Sequence, residues 1–294
     1  MTSTIAVINW NSGDLLRRCI DSLLATTKGA EIIVIDNAST DNSLESAGGF
    51  RSRVDFICNS VNRGFAAAVN QAFRTTLSAH MLILNPDVTV LPGAVQLLEE
   101  FLNTHPRAGA VGGYVGEKYP PRRFPSPGAL ILENLGAGSL TSRQGYEGTV
   151  PQTSKGHLLG RSDALRVDQP AAAALMIRRD AYDEVEGFDE RFFPAWYEDV
   201  DFCCRIKKKG WEIFFLPAAE FIHRGGYSAA VLGSEGFLGA YYQNQLRYAQ
   251  KHFGRISTIA IRISVAARVI AGMVGRPREA GAYGRVLRGA LKGW

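Results

Sequence analysis

Apolar residues in the first half of the chain come in short runs, separated by stretches in which they recur every three or four positions. Ile5 to Asn9, Glu31 to Asp36, Met81 to Leu84 and Ala110 to Gly113 read as strands, and Asp14 to Thr26 reads as a helix between the first two. Runs with little polar alternation suit strands covered on both faces, and helix-length spacers suit right-handed βαβ crossovers. The expected class is therefore α/β, with a mostly parallel central sheet flanked by helices. Sheets of this kind bind ligands beyond the carboxyl ends of their strands. Polar residues gather at three such ends: Asn9 and Asn11 after the first run, Asp36 to Asp41 after the second, and Asn85 to Asp87 after the next. From Tyr114 to about Asp168 the chain is rich in Gly, Pro, Arg and Ser with weak periodicity, which predicts an irregular excursion over the ligand face.

Composition adds a size and a location for the charge. With 294 residues, 46% of them hydrophobic, the chain can bury one full core, and one main domain over residues 1–250 is expected. Cys19, Cys58, Cys203 and Cys204 form no CxxC pair and the chain opens on a strand-like run, which favours reduced thiols and a cytoplasmic place. The net charge of +5 sits at the end: Lys251, Arg255, Arg262, Arg268, Arg276, Arg278, Arg285, Arg288 and Lys292 stand against Glu279 alone, while the remaining body is close to neutral. In the same stretch Ile256, Ile259, Ile263, Ala266, Ile270 and Met273 keep the spacing of one helical face, so residues 251–294 predict a basic amphipathic helical tail. Arg262 and Arg268 break its apolar run, which argues against insertion across a bilayer. Two readings of the tail stay open. The Ile face packs on the body with arginines in solvent, or the tail docks peripherally on an anionic leaflet at the inner face of the plasma membrane, each basic residue adding about 1 kcal/mol. Nucleic acid is not expected as a partner, since no recognised motif or interleaved aromatic platform accompanies the arginines.

The strand-end clusters carry chemistry and, one by one, also carry plainer explanations. Asp36-Asn-Ala-Ser-Thr-Asp41 offers acceptors for the imide and hydroxyl donors of a base and ribose, or a helix N-cap. In Asn62-Arg-Gly-Phe-Ala-Ala-Ala-Val-Asn70, Arg63 can neutralise a diphosphate while Gly64 lets backbone come close, ahead of a helix carrying Asn70; an ordinary surface arginine and loop glycine fit as well. Asn85-Pro86-Asp87 delivers a carboxylate rigidly to a sheet edge, placed like a ligand for Mg²⁺ or Mn²⁺ or closing an Asx turn. Glu198-Asp199-Val-Asp201 sets three carboxylates after Phe192-Phe-Pro-Ala-Trp196-Tyr197, an aromatic run able to wall a sugar pocket. Crowding raises a carboxylate toward a useful base, and an acidic helix N-terminus is the plainer reading. His223 follows a strand-like run and suits a second metal ligand beside Asp87 or a structural histidine.

In this order, Asn9-Trp-Asn11, the DNASTD run, NRGFAAAVN, LNPDV, GFDERFF, YEDVDFCCR and His223 resemble family 2 glycosyltransferases, most closely the bacterial rhamnosyltransferase branch in which NPD stands where relatives carry DxD. The resemblance spans roughly residues 4–228. It implies the GT-A nucleotide-diphospho-sugar transferase fold, a nucleotide-sugar donor, a divalent metal (Mg²⁺ or Mn²⁺) and inversion at the anomeric carbon. It assigns Asn9, Asn11, Asp36, Asn37 and Asp41 to nucleotide recognition, Asp87 and His223 to the metal, and Asp199 to general base; the residue reading adds Arg63, Gly64 and Asn70 to the nucleotide group. Trp196, Tyr197 and Glu198 fall to the acceptor or sugar pocket. The branch suggests L-rhamnose on dTDP as donor, with UDP-hexoses as the alternative, and a glycan or polyprenyl-diphosphate-linked acceptor in cell-envelope polysaccharide assembly. Asn85 cannot supply the charge of the usual first aspartate, and Ala171 to Ala174 stands where a Gly-containing stretch is expected. A sugar nucleotidyltransferase would carry a basic Gly-rich N-terminal loop, which Asn9-Trp-Asn-Ser-Gly13 is not, and a non-catalytic sugar-binding module remains the rival outside enzymes.

Overall fold

The computed structural model describes residues 3–137, 163–276 and 279–292. Arg278 of the tail and the 138–162 part of the expected excursion lie outside the described residues. The strands are β1 (Thr4–Asn9), β2 (Glu31–Asp36), β3 (Asp55–Cys58), β4 (His80–Leu84), β5 (Val88–Val90), β6 (Ala108–Tyr114), β7 (Leu165–Arg166), β8 (Ala174–Arg178) and β9 (Glu212–His223). The helices are α1 (Asp14–Thr26), α2 (Ser43–Ser46), α3 (Phe65–Thr75), α4 (Ala94–Thr104), α5 (Pro127–Asn134), α6 (Arg179–Glu184), α7 (Glu198–Lys208), α8 (Tyr227–His252), α9 (Arg255–Gly275) and α10 (Ala280–Lys292).

The sheet runs β3-β2-β1-β4-β8-β6-β9-β5, with β7 beside β9. Pairing is parallel from β3 to β4, as the βαβ reading expects. Beyond β4 the sheet is mixed: β8 is antiparallel to both β4 and β6, β9 returns parallel to β6, and β5 and β7 are antiparallel to β9. The cause is the excursion after β6. It brings the chain into β8 at the carboxyl edge, so β8 must run back, whereas a parallel neighbour needs a crossover to the opposite edge.

Both sheet faces are covered, which is why β1 is apolar throughout. Ile5 and Val7 join Leu16, Ile20 and Leu23 of α1 and Leu98 and Leu102 of α4 on one face. Ala6 and Ile8 join Phe73 of α3, Tyr182 of α6 and Phe202 of α7 on the other. There Phe73 stacks on Tyr182 at 3.7 Å and Phe188 on Phe202 at 4.3 Å. Each fully buried Leu, Ile or Phe in such a core contributes roughly 1.5–3 kcal/mol.

A third core lies among the later helices: Leu130 of α5, Tyr242 and Leu246 of α8, Ile261, Val265 and Val269 of α9, and Tyr283 and Val286 of α10. The expected boundary near residue 250 falls at the last turn of α8, a helix whose C-terminal half belongs to this core. The tail is helical, and of the two readings left open the packing of the isoleucine face on the body is not the one seen: that face points outward. α9 buries Thr258, Ile261, Val265, Val269 and Gly272, while Ile256, Ile259, Ile263 and Ile270 are exposed. Two apolar stripes share this helix, and the one that meets Tyr242, Leu246 and Tyr283 is the one the body selects.

Asp201 clamps α7 to α8. Its fully buried carboxylate takes Arg205 at 2.8 Å, Lys251 at 2.9 Å and His252 at 2.7 Å. Burial alone would raise its pKa, but His252, Arg205 and Lys251 together hold it below the usual carboxylate value. Burial works to lower His252, and its bond to Asp201 reverses this and raises it. The aspartate's contribution is present above its unfolded value and is lost as pH falls through its depressed folded one. The histidine's is present below its unfolded value and is lost as pH rises through its raised folded one. The clamp is therefore strongest between 3.8 and 6.5, the ordinary values of the two groups. In urea unfolding, Asp201→Asn should cost on the order of 3–5 kcal/mol, with the deficit widest inside that window. A deficit that is flat across pH would contradict the clamp.

Candidate active site

Asp87 and His223 are 136 positions apart in sequence and meet because β5 pairs antiparallel with β9 in a register that sets Val88 opposite His223. His223 Nε2 lies 3.2 Å from Asp87 Oδ1. The other carboxylate oxygen accepts the Gly225 amide at 3.0 Å. The buried His223 Nδ1 has no hydrogen-bond partner among the described residues, and the Tyr119 ring lies 4.6 Å from the imidazole. Gly225 has φ +68, and a Cβ there would overlap the Tyr119 hydroxyl, so this close turn requires glycine. A carboxylate beside an imidazole is a donor set that a divalent cation accepts, since Mg²⁺ or Mn²⁺ takes one or two protein ligands and completes its shell from phosphate and water.

A polar shelf follows β1 and β2. Register sets Asn9 opposite Asp36, and Asn9 Nδ2 donates to Asp36 Oδ1 at 2.7 Å. Ser39 closes the turn by donating from its amide to Asp36 Oδ2 at 3.0 Å and from its hydroxyl to Oδ1 at 2.5 Å. Asn11, at φ 50, accepts the Thr40 amide at 2.6 Å, and Asp41 accepts the Gly13 amide at 2.7 Å. Asn37 Nδ2 donates to the Gly64 carbonyl at 3.1 Å, joining the shelf to the start of α3. Gly64, at φ +83, packs where a Cβ would press on the Phe193 ring. Arg63 beside it is exposed and has no ion pair among the described residues. Tyr227 of α8 crosses to this shelf and donates to the Trp10 carbonyl. Burial and then Asp41, Asp87 and Asp36 raise its pKa, which locates the hydroxyl near all three carboxylates.

Asn70 is a correction. Its carbonyl accepts Tyr182 OH at 3.0 Å and the Phe188 amide at 2.8 Å, and its Nδ2 donates to the Phe188 carbonyl at 2.8 Å and Glu190 at 3.0 Å. Those four bonds fill the capacity of a buried amide. Asn70 braces α3 against the 186–190 turn and is withdrawn from the nucleotide set.

A cleft of ≈ 350 Å³ opens beside the shelf and is lined by His223, Asn85, Glu198, Asp199, Trp196 and Tyr197, among others. Its volume falls within the range of small-molecule sites. Ala171 to Ala173 form part of the wall, their small side chains leaving room where Gly was expected. Glu198 is buried and its Oε2 lacks a partner among the described residues. Burial, then the charge of Asp199, push Glu198 well above the ordinary carboxylate value. Asp199 is also raised by burial, while donors from the Val200 amide and Gln169 pull it part of the way back. Gln169 Nε2 reaches Asp199 Oδ2 at 2.9 Å, and backbone bonds at 2.8 and 3.1 Å pin Gln169 to Arg122. Gln169, Arg122, Arg123, Tyr119 and Tyr227 are the residues that sequence reasoning missed. They lie within or beyond the irregular excursion, where no periodicity marks them.

Comparisons with known proteins agree on the class. A model of the family described as glycosyl transferase family 2 matches residues 4–168, and one described as N-terminal domain of galactosyltransferase matches residues 164–226. The chain is 28% identical over 269 residues to the N-acetylglucosaminyl-diphospho-decaprenol L-rhamnosyltransferase of Mycobacterium tuberculosis, covering 85% of each. It is 22% identical to rhamnosyltransferase WbbL of Escherichia coli, covering 87% of this chain and 98% of that one. Among solved structures it resembles GalNAc-T7 with UDP, GalNAc and Mn²⁺, at a TM-score of 0.61 and 16% identity, over 85% of this chain and 48% of that one; it spans about half of that protein's length. It also resembles the mannosyltransferase PcManGT of Pyrobaculum calidifontis with GDP-Man and Mn²⁺, at a TM-score of 0.58 and 14% identity, over 99% and 86% of the two chains. These structural likenesses show the GT-A fold.

Gln169 favours the charged form of Asp199, so Gln169→Ala should move the Asp199 titration to higher pH. Carbon-detected NMR of the Asp199 carboxyl measures this directly, and an unmoved titration would show that Gln169 does not tune it.

Proposed function

The chain belongs to glycosyl transferase family 2, and we propose that it transfers L-rhamnose from dTDP-L-rhamnose, with inversion and with a divalent metal, to a sugar hydroxyl of a polyprenyl-diphosphate-linked acceptor. The place of this reaction is the cytoplasmic face of the plasma membrane, in cell-envelope glycan synthesis. One observation carries the reading: a raised carboxylate, Asp199, and the Asp87-paired imidazole of His223 line a single cleft next to the shelf of Asn9, Asn11, Asp36, Asn37 and Asp41. The M. tuberculosis relative's name supplies the donor sugar and the lipid-linked class of acceptor.

In this mechanism the shelf orients the base and ribose, and Arg63 faces the diphosphate. Asp199 takes the proton of the acceptor hydroxyl as that oxygen bonds to the anomeric carbon and the bond from that carbon to the diphosphate breaks. One displacement with one base inverts the centre. Glu198, pushed well above the ordinary carboxylate value by burial and by the charge of Asp199, lines the same cleft beside the acceptor hydroxyl. Asp87 and His223 would hold the metal, which when bound offsets the charge growing on the leaving diphosphate. Trp196 and Tyr197 supply apolar surface for a sugar ring.

Calorimetric titration with dTDP and with UDP, each with and without Mn²⁺, tests the donor site: tighter, metal-dependent binding of dTDP supports the reading, and preference for UDP would redirect it to a UDP-hexose. Asp199→Asn should lower transfer by about a hundred- to ten-thousandfold while leaving nucleotide binding near wild type. Transfer within a few fold of wild type would remove Asp199 as base.

A further inference from the structure

α9 exposes a continuous apolar ridge that no part of the described chain covers. Ile256 is 86% exposed, Ile263 64% and Val274 78%, with Ile259 and Ile270 about half exposed beside them. Ala260, Ala267 and Ala271 fill the spaces between, at the 3.6-residue period of one face. Arg255 and Arg262 each precede a ridge isoleucine and fall about 100° round the helix on one flank, while Arg268 lies on the opposite flank. α9 contains no acidic residue. Arg255 and Arg262 have no ion pair among the described residues, and Arg268 bonds the Tyr242 hydroxyl.

The geometry points to an anionic bilayer as the occupant of this ridge, with α9 lying in the headgroup region, its isoleucines among the acyl chains and its arginines on lipid phosphates. An apolar ridge between cationic flanks is complementary to such a surface, which offers hydrocarbon below a layer of negative charge. A second copy of the chain fits less well, because a twofold contact through this ridge would set the same arginine rows against each other with no acid between them. Crossing the bilayer fits less well too. α9 is long and apolar enough to span by length and composition, yet its inner face is fixed to the body: Asn134 donates to Ser264 at 3.0 Å, and Thr258 donates to the Ala249 carbonyl at 3.1 Å.

The same inner face leads to the cleft. Asn134 donates onward to Gln245 at 2.9 Å, and Gln245 donates to the Tyr197 hydroxyl at 3.2 Å. A docked α9 thus sets the cleft at a fixed offset from the leaflet, where a lipid-linked acceptor would present its sugar. The inference rests on the proposed acceptor for its purpose, but docking itself needs neither donor nor acceptor.

The test is co-sedimentation of the full chain with phosphatidylcholine vesicles, plain or with about one-third phosphatidylglycerol. The wild type should partition to the anionic vesicles at least about tenfold more strongly than to neutral ones, and less at high salt. Ile256→Glu/Ile263→Glu and, separately, Arg255→Gln/Arg262→Gln should each lose most of that binding while keeping the wild-type melting temperature. The isoleucine variant should keep transfer to a water-soluble, short-chain acceptor. Vesicle binding without any sugar transfer would leave docking standing and overturn the proposed function instead. No wild-type binding, unaltered binding in both variants, or a dimer that the isoleucine variant dissociates would overturn docking.

Discussion

The antiparallel pairing of β5 with β9 is the constraint on which the site depends. A strand of three residues, Val88–Val90, holds the last turn of the NPD segment against the far end of a twelve-residue strand, and the register sets Val88 opposite His223. Because side chains alternate along a strand, a slip of one residue would turn His223 to the other face and part it from Asp87. Local composition does not guarantee this register. It is fixed from both sides by burial: Val88 and Val90 enter one core with Phe221, and the Arg224 and Gly225 amides both return to Asp87.

The helices that follow β9 are scaffold as much as extension. Asn134, Asn244, Gln245 and Ser264 are all buried, an expensive choice of residues unless each finds a partner. Each does. Asn244 donates to the carbonyls of Phe193 and Ala195 at 3.2 and 2.8 Å, holding the aromatic loop from beneath, and Trp196 meets Phe237 edge to face at 4.9 Å. The cleft wall is therefore positioned by α8, which is itself positioned by α5 and α9. Polar bonds of this kind specify geometry where an apolar interface would tolerate sliding.

How much of this was legible follows from where the information lay. β1, β2 and α1 could be read because both sheet faces are covered, so their apolar runs are unbroken and polar residues mark where they stop. The pairing of Asn9 with Asp36 is a short-range consequence of parallel β1 and β2. The mixed half of the sheet was not legible, since the direction of β8 depends on which edge the excursion after β6 leaves the chain, and no residue in Leu175-Met-Ile-Arg178 encodes that. Asn70 was misread because an asparagine after a glycine-containing loop looks the same whether its amide faces a ligand or a turn 118 residues away. On α9 the period was legible, and which way its isoleucine stripe faces was left open. Ile256, Ile259, Ile263 and Ile270 form a truer stripe than Ile261, Val265 and Val269, and only the packing of α8 and α10 decides which faces in.

The paired carboxylates at the start of α7 make a last physical point. Two acids adjacent in sequence at one cleft cannot both be charged cheaply, and burial raises both. The environments then divide them. Asp199 receives the Val200 amide and Gln169, donors that favour its anion, whereas Glu198 has a backbone amide alone, its Oε2 has no partner among the described residues, and it bears the repulsion of its neighbour. Burial and the charge of Asp199 thus push Glu198 well above the ordinary carboxylate value, while Asp199, raised by burial, is drawn part of the way back by its donors. Gln169 makes this division possible, and it is held in place by backbone bonds to Arg122, on the far side of the excursion. The environment of Asp199 is thus set by a segment that shows no helix or strand pattern, which is why the sequence pointed to the acid pair but not to the residue that sets its two members apart.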